Sequence, residues 1–144
     1  MEWTLEVIVV PVSDADRAKE FYTDRCGFHC DVDVSPFEGA RFVQLTPPGS
    51  RCSIVLEAGL PQSPGRRRMA PGSLEGLQLC VTDIEAARDA LADRGVDAGP
   101  VRHVGPNGWE EGRGTETWNS FLFFQDPDGN GWVVQEAPSP LAER

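Results

Sequence analysis

The fourteen residues 9–22, VVPVSDADRAKEFY, return 69 positions later as residues 78–91, QLCVTDIEAARDAL. Val12 aligns with Val81, Ser13 with Thr82, Asp14 with Asp83, Asp16 with Glu85 and Ala18 with Ala87. Each copy passes from a β-rich run into an amphipathic helix. Residues 5–12 are rich in β-branched side chains and read as a strand. Ser13 is the expected helix cap, with Asp16 in the capping-box position. Ala15, Ala18, Phe21 and Tyr22 fall on one apolar face at helical spacing, and Gly27 stops the helix. In the second copy Thr82 is the expected cap and Glu85 its box partner. Ile84, Ala87, Ala90 and Leu91 form the apolar face, and Gly95 is the stop.

Three further strands are expected after each helix. They are residues 28–34, 40–46 and 52–57 in the first copy, and 96–104, 120–125 and 131–136 in the second. Turn-forming runs, Pro47-Pro48-Gly49-Ser50 and Asp126-Pro127-Asp128-Gly129-Asn130, join the last two strands of each copy. The expected architecture is therefore α+β: two βαβββ repeats, eight strands and two helices. The expected boundaries within a single domain of residues 1–144 are repeat one 1–58, a linker 59–72, repeat two 73–137 and a tail 138–144. The linker holds three prolines and the triplet Arg66, Arg67, Arg68, either a solvated loop or a guide for an anionic ligand. Residues 105–118 read as a long loop of the kind that forms lids.

Thirteen basic against twenty-three acidic residues give a net charge of −10, which argues against nucleic acid as a partner. The apolar run 7–12 is too short to cross a bilayer, so a soluble, cytoplasmic protein with no membrane partner is expected. Cys26, Cys30, Cys52 and Cys80 contain no C-x-x-C pair and read as small buried hydrophobes. Asp126, Asp128, Asn130 and Gly131 imitate the start of a calcium loop, but Ala137 stands at the twelfth position, where a bidentate Glu is needed.

The paired βαβββ units, the VSDADRAKEFY segment after a strand and the DPDGNGW turn before the last strand together resemble the vicinal-oxygen-chelate superfamily of glyoxalases, bleomycin-resistance proteins and extradiol dioxygenases. The resemblance covers nearly the whole chain. It implies curled, mixed eight-stranded sheets around a cavity. It also implies a divalent metal held by the first and last strands of each unit. Carried onto this chain, the metal positions are Val7, Val55, Gly76 and Val133. None carries a donor atom, whereas such metals need imidazole or carboxylate ligands. The expectation is no metal and no other cofactor.

With the metal positions apolar, residues two places away on the same strands are expected to line a pocket: Val9, Ser53, Glu57, Gln78 and Gln135. Glu57 is either a general base in a partly apolar site or a strand-end side chain in solvent. Trp109 and Trp118 are candidate stacking surfaces or core plugs, and His103 is either a proton carrier or structural. Two functions follow. In one, the protein binds a small cationic or aromatic molecule without metal and, as the resemblance implies, as a homodimer. In the other, it is a metal-independent isomerase, lyase or cyclase with Glu57 as base. A metal-dependent lyase or dioxygenase would require ligands at unrecognised places.

Overall fold

A computed structural model describes residues 1–138; residues 139–144 of the expected tail lie outside the described residues. The chain divides into two compact units. One is residues 1–74 together with residues 126–130; the other, among the described residues, is residues 75–125 and 131–138.

The first unit contains β1 (Val7–Val10), α1 (Ala15–Glu20, continued by a π-helical turn Phe21–Arg25), β2 (His29–Val34), β3 (Phe42–Thr46) and β4 (Ser53–Leu56). Its sheet runs β1-β4-β3-β2, with β1 and β4 parallel and the other pairs antiparallel. The second unit contains β5 (Leu77–Val81), α2 (Ile84–Asp93), β6 (Arg102–Gly105), β7 (Gly108–Glu111), β8 (Phe121–Gln125) and β9 (Gly131–Glu136), with sheet order β5-β9-β8-β6-β7. The internal repeat is thus a repeat of topology. In both units the first and last strands pair in parallel; β3 and β2 follow outward in the first unit, and β8, β6 and the additional β7 in the second.

Alternation along the strands gives each sheet two unlike faces. In the first unit Val10, Val43, Leu45, Ile54 and Leu56 are buried together with Ala18, Phe21 and Tyr22 of the helical segment. In the second, Leu77, Leu122, Phe124, Trp132 and Val134 are buried, as is Ile84 of α2. α1 packs on β3 and β4, and α2 packs on β8 and β9.

The structure corrects several expectations. The helix caps are Asp14 and Asp83, whose carboxylates accept from Arg17 N and Ala86 N, and not Ser13 and Thr82. Ser13 instead donates its hydroxyl and its amide to Asp128. The described residues hold nine strands, because residues 105–118 are not one long loop: β7 forms a hairpin with β6. The strand expected over 96–104 is only β6, since Pro100 supplies no N–H to a ladder. Among the described residues, no helix is long and apolar enough to cross a membrane.

The turn Asp126–Asn130 packs with the first unit. Asp126 accepts from the backbone of Asp128, Gly129 and Asn130, and from the buried Tyr22 hydroxyl at 2.7 Å. The fully buried Asn130 donates to Pro11 O and Asp126 Oδ2 and accepts from Leu74 N. The acidic turn is therefore a structural clasp, with its carboxylates already engaged.

Candidate functional site

On the face of the first sheet away from α1, register places Val7 beside Ser53 and Val9 beside Val55. Ser53 and Val55 are buried, whereas Val7 and Val9 on the edge strand are exposed. The Ser53 hydroxyl lies 2.6 Å from that of Thr46. Glu57 follows β4 at its end. Its Oε2 accepts from Gln62 Nε2 at 3.0 Å, and its Oε1 forms an ion pair with the Arg68 guanidinium. The linker arginine expected in solvent thus reaches Glu57.

The second sheet is open on its face away from α2. Register sets Gln78 beside Val133, Cys80 beside Gln135, Gln135 beside Phe121, and Val133 beside Phe123. Val104 and Trp109 pair across the β6–β7 hairpin, and the indole meets Phe121 and Phe123 edge-on, with centroids 5.4 and 5.3 Å away. Trp109 is 52% exposed and Phe123 37%. An amide chain borders this patch. Gln78 Nε2 donates to Gln135 Oε1 at 2.6 Å, and Gln135 Nε2 donates to Trp118 O at 2.7 Å. Trp118 has φ +66°, a left-handed backbone uncommon for a bulky residue, and the Gln135 bond fastens its carbonyl.

Five of the residues read from the sequence therefore belong to one surface or its border: Gln78, Trp109, Trp118, Val133 and Gln135. His103 does not share it. Its neighbours Arg102 and Val104 alternate onto the open face, so His103 turns away. Its ring nitrogens lie 2.9 Å from Gly112 O and 3.1 Å from Glu110 Oε2. Val7, Ser53, Val55 and Glu57 belong to the other unit. Phe121 and Phe123, expected as core, and Val104, expected at the end of a strand, complete this surface. The signal was present in Asn107-Gly108, a dipeptide that favours a tight hairpin between short strands. That hairpin brings Trp109 onto Phe121 and Phe123.

The residues do not fit the metal that the fold family implies. Val7, Val55 and Val133 lack donors. Gly76 has φ +82°, so a ligand side chain there would impose a strained backbone. Glu136 is the carboxylate on β9, but it lies three residues past Val133, on the helix side, where it accepts from Ile84 N and Arg113. Among the described residues, no group of three or more His, Cys, Asp or Glu side chains could hold a metal ion.

Comparison with known proteins agrees with this fold. Residues 4–134 match the profile of the glyoxalase/bleomycin resistance protein/dioxygenase superfamily. The chain is 32% identical to TnmS3, an antibiotic binding protein from Streptomyces sp. CB03234, with a TM-score of 0.72 over 94% of this chain and 97% of that one. It is 30% identical to a superfamily member from Sphaerobacter thermophilus, with a TM-score of 0.68 over 94% and 98% of the two chains. Among curated proteins it is 25% identical to the uncharacterized protein YetH of Bacillus subtilis, over 90% of this chain and 94% of that one. By fold and by sequence, the chain belongs to the glyoxalase/bleomycin resistance protein/dioxygenase superfamily.

Proposed function

We propose that the protein binds a small, flat aromatic molecule without a metal ion, holding it against the open face of the five-stranded sheet. The observation that carries this reading is the half-exposed indole of Trp109 standing edge-on over Phe121 and Phe123. Aromatic faces stack flat ligands, and a few fixed polar groups orient them. Gln78 and Gln135 supply such groups beside the patch. Arg102 and Glu111 pair opposite each other across the hairpin, so the rim carries both signs and favours neither a cation nor an anion. The neighbour TnmS3 is an antibiotic binding protein, which supports a small-molecule ligand here. The enzymatic alternative would first have to free Glu57 from Arg68 and Gln62, and no geometry of the site favours it. A homodimer belongs to the same reading, and sedimentation at micromolar concentration tests it.

The test is a titration of the protein with a panel of flat aromatic antibiotics, followed by tryptophan fluorescence and calorimetry, beside Trp109→Ala. A buried Trp covers up to about 250 Å², so the 52% exposed indole presents roughly 130 Å². A ligand covering half of that gains about 1.6 kcal/mol at ~25 cal/mol per Å². Trp109→Ala should therefore weaken binding about tenfold. Equal affinity in the variant, or no binding across the panel, overturns the reading.

A further inference from the structure

A concavity lies within the first unit and shares no residue with the aromatic face. It is a cleft of about 630 Å³, lined among others by Ser13, Ser35, Phe37, Glu38, Arg41 and Glu57. Its charges are unevenly committed. Arg41 is held by Asp33, through Nε at 2.8 Å and Nη2 at 2.7 Å, and by Asp16 through Nη1. That cation is neutralised twice and contributes little field to the cleft. Glu57 is only 14% exposed, and both of its oxygens are engaged from its own loop: Oε2 by Gln62 Nε2 and Oε1 by Arg68. What faces Oε1 is the guanidinium of Arg68, which is 49% exposed and also reaches back to Leu60 O in its own loop. Phe37, 53% exposed, adds an aromatic face to the same cleft.

We propose that this cleft binds a small organic cation, a guanidinium or alkylammonium compound, on the Glu57 carboxylate, and that Arg68 occupies the same carboxylate as an internal competitor. A carboxylate this little exposed needs a charged donor, and a guanidinium or ammonium ligand can replace Arg68 in that role. The arginine side of this pair is half-exposed and sits on a loop, so an incoming cation can compete with it for the carboxylate. The half-exposed ring of Phe37 suits a weakly hydrated guanidinium. Glu38 gives the cleft a second carboxylate, which suits a ligand with two positive ends. The segment 59–72 then acts as a strap whose occupancy of Glu57 sets the apparent affinity. A competitor in cis lowers that affinity by the fraction of molecules it occupies.

The test is calorimetric titration with agmatine, a guanidinium joined to an ammonium, on the full chain and on Arg68→Ala and Glu57→Gln. Arg68→Ala should bind agmatine about fivefold more tightly than the parent, and Glu57→Gln should lose binding. In amide chemical-shift maps, agmatine should move Gly39 and Ala58. Arg68 is half-exposed, so its variant folds, and it decides the question even if Glu57→Gln does not fold. Unchanged or weaker affinity in Arg68→Ala, retained affinity in a folded Glu57→Gln, or shifts that leave Gly39 and Ala58 unmoved overturns the proposal.

Discussion

Replacing Asn130 with Ala removes three hydrogen bonds from a site with no solvent exposure. Its amide donates to Pro11 O at 2.8 Å and to Asp126 Oδ2 at 2.7 Å, and its carbonyl accepts from Leu74 N at 3.1 Å. Two of the groups left behind keep other partners: Pro11 O still accepts from Gly72 N, and Asp126 Oδ2 from Tyr22. Leu74 N is orphaned. Taking about 1 kcal/mol for each neutral bond, and about 1.5 kcal/mol for the bond to the carboxylate, gives a loss of about 3.5 kcal/mol. For a chain of this size that corresponds to a fall in Tm of roughly 10 °C. Tyr22→Phe is the control, because it removes one bond to the same carboxylate oxygen while Asn130 still donates there. It should cost about 1.5 kcal/mol. Urea denaturation followed by circular dichroism measures both. A loss below about 1 kcal/mol for Asn130→Ala would refute the idea that the turn clasps the first unit through its buried amide.

Asp33 gives a pH signature. Hydrogen bonds from Arg41 and then Lys19 hold its carboxyl well below the usual carboxylate range. Its contribution is therefore complete above the unfolded value near ~4 and is lost as pH falls toward the folded value. Asp33→Asn should cost about 1–2 kcal/mol at neutral pH and flatten the fall in urea midpoint below about pH 4; parallel curves would refute this. Gly72 has φ +79°, and a Cβ there would lie 2.0 Å from Asp128 O. Gly72→Ala should cost at least about 2 kcal/mol, and an unchanged urea midpoint would show that the contact yields without strain. Glu136→Ala strips the bond to Ile84 N and the partner of Arg113, and should destabilise by about 2 kcal/mol in the same assay.

Most of the architecture was legible because the local signals agree with one another. Both helices, the strand order implied by the repeat and the DPDGN turn follow from periodicity, capping residues and turn chemistry. What escaped local reading depends on distant partners. Ser13 and Asp14 are both competent caps. Asp14 takes the role, as Asp83 does in the second unit, and Ser13 instead bonds Asp128, 115 residues away. Arg68 is a different case: the sequence places Glu57 at a strand end just before its loop, but not the fold of that loop that returns the guanidinium to the carboxylate. On the sheets, alternation grouped Gln78, Val133 and Gln135 onto one face. Alternation alone does not show that a two-residue turn folds Trp109 back over Phe121 and Phe123. His103 was attractive for its chemistry alone, and its parity with Arg102 and Val104 turns it the other way.

The central claim is that this superfamily member uses its fold to bind a flat aromatic molecule without the divalent ion. The most direct measurement is calorimetric titration of the purified protein with the tightest-binding aromatic compound of the panel. It is run as purified, after exhaustive chelation, and after incubation with nickel, zinc, manganese or iron(II), with elemental analysis of each sample. The account predicts one affinity in all samples, within about twofold, and no stoichiometric metal, because Val7, Val55, Gly76 and Val133 offer no ligand atoms. One ion per chain, with affinity that vanishes on chelation and returns with the metal, would contradict it.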